Sequence, residues 1–214
     1  MALTYRERPA EGEPAGLLVL HHGRGSDELD MLGLGDALDP MARLHLIVPR
    51  APLVLPGQPG WHWYVVPRVG HPDPDTFTAS VAELGALHDE AWERTGLGPE
   101  RTVLGGFSQG CVMGYALALP SQRPAPAGVL ALSGFIPTVA GWQPDLAGRQ
   151  GLRAFVAHGR ADPVISVEFG RGARDTLAAG GIEVAYHESE GGHEIDRGTL
   201  SAASAWLAGE AISR

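Results

Sequence analysis

The sequence contains one cysteine, Cys111, and no lysine among its 16 basic residues. A single cysteine excludes a disulfide within the chain, so nothing points to an oxidising compartment. The first fifteen residues carry charged side chains and prolines, which do not fit the apolar core of a secretory signal. No stretch reaches the roughly eighteen unbroken apolar residues of a membrane span. We therefore expect a cytoplasmic protein with no membrane span.

Positive charge is also scarce, because 16 basic residues face 25 acidic ones for a formal net charge of −9. Nucleic acids and anionic membranes are recognised by clustered positive charge, so neither is expected as a partner. The chain has 214 residues, 44% of them hydrophobic, and shows no internal repeat or low-complexity linker. We predict a single domain over residues 1–214.

Short apolar segments alternate with helix-like segments along the chain. Residues 76–95 place Phe77, Val81 and Leu84 at spacings of three and four, which is typical of an amphipathic helix, and Gly96 closes it. Strands are predicted at 17–20, 44–48, 102–104, 129–132, 153–157 and 182–186, and further helices at 111–119, 166–179 and 200–212. The alternation predicts an α/β fold with a mostly parallel central sheet and helices on both faces.

The strand at 102–104 leads into the run Gly106-Phe107-Ser108-Gln109-Gly110. This run matches the nucleophile elbow of α/β-hydrolases, a sharp strand-to-helix turn whose flanking glycines relieve crowding. In a glycine-rich chain the bare pattern could arise by chance. A strand before it and a helix after it favour Ser108 as a nucleophile, with the helix N-terminus directed at the developing negative charge.

Two further polar residues follow later strand ends in the order expected of this fold. Asp162 follows the strand at 153–157 and is the candidate acid, although an Asp-Pro dipeptide is also common in turns. His193, on a glycine-rich loop after the next strand, is the candidate base, although most of the nine histidines must be bystanders. The chain order Ser108, Asp162, His193 favours a catalytic triad.

A glycine turn after the first strand supplies the second part of the predicted site. The backbone N–H of Gln109, directly after the candidate nucleophile, is one expected oxyanion donor. The backbone N–H of Arg24, in His22-Gly23-Arg24-Gly25, is the other. Phosphate binding is the rival interpretation of a glycine turn, but neither a Walker A nor a Gly-x-Gly-x-x-Gly pattern is present.

With these motifs the chain resembles the phospholipase/carboxylesterase family of small α/β-hydrolases, which includes bacterial carboxylesterases and acyl-protein thioesterases. The matching motifs are Leu20-His21-His22-Gly23, Gly105-Gly106-Phe107-Ser108-Gln109-Gly110, Leu132-Ser133-Gly134, His158-Gly159 with Asp162, and Gly192-His193. The resemblance implies a compact hydrolase without a large cap domain, with no cofactor and no metal, and with the triad and oxyanion donors given above. One departure is Arg24, where thioesterase-like members usually have an apolar residue.

A proline- and glycine-rich piece at 49–75 is long enough to be functional. The sequence predicts that it walls an apolar acyl pocket or, alternatively, that its aromatic residues cover the sheet edge. The only other long connection, 134–151, has about eighteen residues, too few for a cap domain. The candidate pocket residues are Leu55, Trp61, Trp63, Phe135, Ile136 and Val164.

These observations favour a serine carboxylesterase, and the resemblance implies that it takes small ester substrates of short to medium acyl chain. A thioesterase or lysophospholipase on the same triad is the alternative, and a non-catalytic binding protein is an alternative of another class. Cys111 lies past the elbow and is interpreted as a buried apolar residue rather than a nucleophile. Exposed edge strands make a homodimer plausible.

Overall fold

The computed structural model describes residues 3–209 and is built around a seven-stranded sheet. The strands of this part of the chain are β1 (Tyr5–Arg8), β2 (Gly16–His21), β3 (Leu44–Pro49), β4 (Leu53–Val54), β5 (Trp61–His62), β6 (Thr102–Phe107), β7 (Gly128–Leu132), β8 (Arg153–Gly159) and β9 (Glu183–Ser189). The sheet order is β1-β3-β2-β6-β7-β8-β9, and every neighbouring pair is parallel except β1 with β3. The predicted mostly parallel sheet is confirmed.

Helices cover both faces of this sheet, as predicted. They are α1 (Glu28–Leu38), α2 (Pro74–Thr95), α3 (Gln109–Ala118), α4 (Val167–Ala179) and α5 (Arg197–Gly209). Helices α1 and α5 pack on one face with Leu18 and Leu20, whereas α2, α3 and α4 pack on the other with Leu17 and Val19. Successive side chains of β2 therefore enter opposite cores, because side chains alternate between the faces of a strand.

The predicted elements agree with the structure to within a few residues at most ends. The strand predicted at 102–104 continues to Phe107 and so includes Gly105. A glycine fits at this position in the sheet because a Cβ there would lie only 2.8 Å from the Leu20 side chain. The last helix begins at Arg197, and its predicted residues 210–212 lie outside the described range. No helix of residues 3–209 combines the length and apolar character needed to cross a bilayer.

Helix α1 and strand β1 were not predicted from the sequence. The apolar residues of α1 are spread over all sides of the helix and glycines interrupt its sequence, so it lacks the amphipathic period. Its start is nevertheless encoded by Asp27, whose carboxylate accepts the N–H groups of Leu29 and Asp30 at 2.8 and 3.2 Å. Strand β1 has the charged sequence Tyr-Arg-Glu-Arg, and only its pairing with β3 makes it a strand.

Candidate active site

Ser108 lies at the carboxyl end of β6, on the sharp turn into α3. Its backbone has φ 56° and ψ −118°, in the region of positive φ that a residue with a side chain rarely adopts. A Cβ on Gly106 would overlap the backbone of Gly110, and one on Gly110 would overlap the His21 carbonyl. The two flanking glycines therefore permit the turn that exposes the serine.

The structure brings the three predicted residues into one hydrogen-bonded series. His193 Nε2 lies 2.9 Å from the Ser108 hydroxyl, and His193 Nδ1 lies 2.7 Å from Asp162 Oδ2. The other carboxylate oxygen of Asp162 accepts the N–H groups of Val164 and Ile165, both at 2.8 Å. With Nδ1–H donating to the carboxylate, Nε2 is left as the hydrogen-bond acceptor for the Ser108 hydroxyl.

Backbone contacts hold the Asp162 and His193 loops together. The N–H of Arg160 donates to the Ser189 carbonyl at 2.8 Å, and the N–H of Ala161 donates to the Gly191 carbonyl at 3.0 Å. A Cβ on Gly159 would overlap carbonyl oxygens of the second loop, so a glycine is required at this crossing. The two loops extend the parallel pairing of β8 and β9 beyond the sheet.

The Asp162 carboxylate is buried yet stays charged. Burial alone would raise its pKa, but the hydrogen bonds from His193 and from the amides of Ile165 and Val164 outweigh that effect and lower the pKa below its ordinary value. A second histidine, the buried His158, places its Nε2 3.4 Å from the same Oδ2 and 2.8 Å from the Ile165 carbonyl. Asp162 therefore remains an acceptor for His193 at neutral pH.

The glycine turn after β2 is fixed by the neutral, buried side chain of His22. Its Nδ1 lies 2.7 Å from the Gly23 carbonyl, and its Nε2 accepts the Ala51 N–H at 3.0 Å. These two contacts require a proton on Nδ1 and none on Nε2. Burial also lowers the pKa of His22 and keeps it neutral. The turn that carries Arg24 is thereby tied to the end of β3.

Trp63 and Gln109 join this turn to the nucleophile elbow. The Trp63 indole N–H donates to the His22 carbonyl at 2.9 Å, and its backbone N–H donates to Gln109 Oε1 at 2.7 Å. Gln109 Nε2 donates in turn to the Tyr64 carbonyl at 2.8 Å. The two predicted oxyanion donors, at Arg24 and Gln109, therefore belong to segments that are both hydrogen-bonded to Trp63.

A cavity of about 420 Å³ opens above Ser108. It is lined by Arg24, Tyr64, Val66, Val69, Ser108, Gln109, Phe135, Val164, Ile165 and His193. The candidate pocket residues Phe135 and Val164 thus lie at the cavity. Val66, Val69 and Ile165 were missed, although Ile165 could have been found from its place in the turn that begins at Asp162.

Three of the candidate pocket residues, Leu55, Trp61 and Trp63, do not line this cavity. Leu55 is buried beneath the turn, 3.5 Å from where a Cβ on Gly25 would lie. Trp63 is fully buried, and its indole N–H donates to the His22 carbonyl rather than facing the cavity. Trp61 lies under the Arg50 guanidinium, 4.2 Å from the ring centre. These side chains support the wall rather than form it.

Ile136 lies in an adjoining groove rather than in the cavity itself. That groove shares Phe135 with the cavity and continues along Trp142 and Phe169. Cys111 is buried within α3, and burial raises the pKa of its thiol, which is unfavourable for a nucleophile. Within residues 3–209, no three His, Cys, Asp or Glu side chains come together as a metal site would require.

Comparison with known proteins places the chain among hydrolases of this architecture. The model of the phospholipase/carboxylesterase family matches residues 8–209. The solved structure of esterase PE8 is 30% identical, has a TM-score of 0.80, and the match covers 97% of this chain and 99% of that one. The carboxylesterase of Bacillus cereus has a TM-score of 0.83 at 23% identity, with 96% and 93% covered.

Among curated sequences, acyl-protein thioesterase 1 of Yarrowia lipolytica is 27% identical over 182 residues, which covers 79% of each chain. The family match spans nearly all of the described residues, and the predicted α/β-hydrolase fold is confirmed. The chain therefore belongs to the phospholipase/carboxylesterase family and is a serine hydrolase of that family.

Proposed function

We propose that the protein is a serine carboxylesterase that hydrolyses short- to medium-chain acyl esters through Ser108, His193 and Asp162. The observation that carries this proposal is the unbroken hydrogen-bonded series from the Ser108 hydroxyl to Asp162, with distances of 2.9 and 2.7 Å, at the floor of an open cavity. Nucleophile, base and orienting carboxylate within hydrogen-bond reach are the arrangement that acyl transfer requires.

In the first half-reaction, Ser108 Oγ attacks the ester carbonyl while its proton passes to His193 Nε2. The tetrahedral oxyanion is stabilised by the backbone N–H groups of Gln109 and Arg24, whose residues line the cavity beside the serine. His193 then returns the proton to the departing alcohol, leaving an acyl-enzyme. Water attacks this intermediate by the same proton transfers and releases the acid.

The cavity supports a preference for small acyl groups. Its volume of about 420 Å³ lies near the lower end of the usual range for small-molecule pockets. Val66, Val69, Phe135, Val164 and Ile165 give it an apolar wall. With p-nitrophenyl esters from acetate to palmitate, we expect kcat/KM to be greatest for a chain of short to medium length. A maximum at palmitate would contradict this assignment.

A fluorophosphonate probe tests the nucleophile directly. We expect labelling of the wild type, and loss of both labelling and ester turnover in Ser108→Ala. Ser133→Ala is the matched control, since Ser133 also follows a strand and has a positive φ of 51° but does not line the cavity. Persistent labelling of Ser108→Ala would remove Ser108 from the mechanism, and an inert wild type would favour a binding protein.

A thioesterase is the second candidate, because acyl-protein thioesterase 1 of Yarrowia lipolytica is 27% identical to this chain. The same triad can cleave a thioester, since only the leaving group changes. Comparing kcat/KM for an oxygen ester and a thioester of the same acyl group decides between the two. A thioester preference of more than about a hundredfold would replace the carboxylesterase assignment.

A further inference from the structure

Among the residues of the described range 3–209 that line the cavity, only Arg24 has a permanently charged side chain. The rest of the lining is apolar apart from Tyr64, Ser108, Gln109 and His193. We propose that the Arg24 guanidinium binds a carboxylate of the substrate, so that the preferred substrates are esters with a carboxylate a few atoms from the scissile carbonyl. This inference rests on the esterase function proposed above and specifies its substrate class.

The acidic residues next to Arg24 are already engaged with other groups. Asp27 caps α1, and Asp30 accepts the Ser26 hydroxyl at 2.6 Å. Glu28 is buried and forms a two-point ion pair with Arg50. Within residues 3–209 the exposed Arg24 guanidinium therefore has no carboxylate partner of its own.

Many other arginines of the chain do have such a partner. Examples are Arg8 with Asp39, Arg94 with Glu7, Arg123 with Asp89 and Arg171 with Glu188. Arg24, which has no carboxylate partner among the described residues, is thus in a position to bind an anion supplied by the substrate. A guanidinium suits a carboxylate in particular, since its parallel N–H groups can donate to both oxygens.

The backbone at Arg24 is fixed, which limits where that anion can lie. The Gly25 N–H donates to the Trp61 carbonyl at 2.8 Å, and the Trp61 N–H donates to the Ser26 carbonyl at 3.1 Å. On the other side, a Cβ on Gly23 would lie 3.4 Å from the Cβ of Ser108. The side chain of Arg24 therefore starts from a fixed point beside the proposed nucleophile.

One residue then supplies both an oxyanion donor and a cation. In the proposed mechanism the backbone N–H of Arg24 is directed at the reacting carbonyl. The distance from that carbonyl to the guanidinium is therefore limited to about the length of one arginine side chain. An anion at the end of a long acyl chain does not meet this condition. Half-esters of short dicarboxylic acids do, with their methylene groups against the apolar wall of Val66 and Val69.

The net charge of the protein determines which kinetic constant should respond. With a formal charge of −9, the molecule as a whole repels anionic substrates, so long-range steering cannot produce a preference for them. A preference must arise from local contact with Arg24 and should appear mainly in KM. Added salt weakens it, since the guanidinium is exposed.

Two esters that differ in a single group test the proposal: monoethyl glutarate, which carries a carboxylate, and the ethyl ester of glutaramic acid, which carries a neutral amide in its place. Ethanol release gives kcat/KM for each. We expect the wild type to prefer monoethyl glutarate, and Arg24→Met to reduce the carboxylate-to-amide ratio by about tenfold or more, largely through KM. Arg24→Glu should reduce the ratio further, whereas Arg24→Lys should retain part of it.

Arg6→Met is the control, because Arg6 lies on the edge strand β1 and does not line the cavity, and it should keep the wild-type ratio. An unchanged ratio in Arg24→Met, or a wild type that prefers the amide, overturns the role of Arg24 while the esterase function stands. A wild type that hydrolyses neither ester nor p-nitrophenyl butyrate overturns the esterase function, and this inference with it.

Discussion

Replacing Gln109 with glutamate tests the connection between the nucleophile elbow and the segment at residues 63–64. The side chain of Gln109 accepts from the Trp63 N–H at 2.7 Å and donates to the Tyr64 carbonyl at 2.8 Å. Glutamate has the same shape and keeps the first contact. Its ionised carboxylate cannot donate, so the Tyr64 carbonyl keeps only its contact with His62 Nδ1 at 3.0 Å and faces a negative charge.

Two contributions set the size of the effect. Losing one of the two hydrogen bonds to the Tyr64 carbonyl costs roughly 0.5–1.5 kcal/mol. Position 109 is only 4% exposed, so burial should raise the pKa of the new carboxyl group, and each unit costs about 1.4 kcal/mol while the group is ionised. We expect Gln109→Glu to lower the free energy of unfolding by roughly 2–4 kcal/mol at pH 8. Protonation restores a donor, so the loss relative to wild type should shrink as the pH falls.

Urea unfolding followed by circular dichroism at pH 8 and pH 5.5 measures this difference for the variant and the wild type. The reasoning is refuted if Gln109→Glu is as stable as the wild type at pH 8, or if its loss is the same at both pH values. Gln122→Glu is the control, since Gln122 is exposed on a turn, and its effect should stay within about 0.5 kcal/mol.

Three further predictions concern packing, acid stability and the cavity wall. In thermal unfolding, Gly110→Ala should lower the free energy of unfolding by roughly 1–3 kcal/mol, because the new Cβ would overlap the His21 carbonyl. Gly114→Ala in the same helix should raise it by about 0.5–1 kcal/mol, because the nearest atom to a Cβ there is 3.8 Å away. Burial lowers the pKa of His21 from 6.5 to about 3 and that of His88 in the same direction, so the unfolded state binds more protons below pH 6.5. Between pH 6.5 and about pH 3, stability should then fall by about 1.4 kcal/mol per pH unit through His21, and His88 should add to the loss in the same direction. A flat profile of urea midpoints would contradict this. Trp61→Ala should leave the dependence of kcat/KM on acyl chain length unchanged, because the Trp61 ring lies outside the cavity. A shifted dependence would show that Trp61 contacts the acyl chain.

The residues of the candidate triad could be picked out from the sequence because each follows a recognisable strand. Parallel strands place their carboxyl ends at one edge of the sheet, so Ser108, Asp162 and His193 were expected to converge. The structure shows them within hydrogen-bond distance. The pocket residues were less predictable: an aromatic ring in a loop can point into a cavity or into the core, and local sequence does not distinguish the two. Trp63 is an example: it was expected at the pocket, but its ring lies in the core.

The sequence by itself determined the α/β class, the order of most strands and helices, and the motifs of a serine hydrolase, because hydrophobic period and glycine placement act over a few residues. Only the tertiary structure decided which groups surround the candidate nucleophile, because those contacts join distant segments. The tie from Trp63 to His22 spans 41 residues, and that from Gln109 to Tyr64 spans 45. The same holds for Arg24. Its identity is plain in the sequence, but its lack of a carboxylate partner within residues 3–209 depends on where each neighbouring acid finds its own hydrogen bonds.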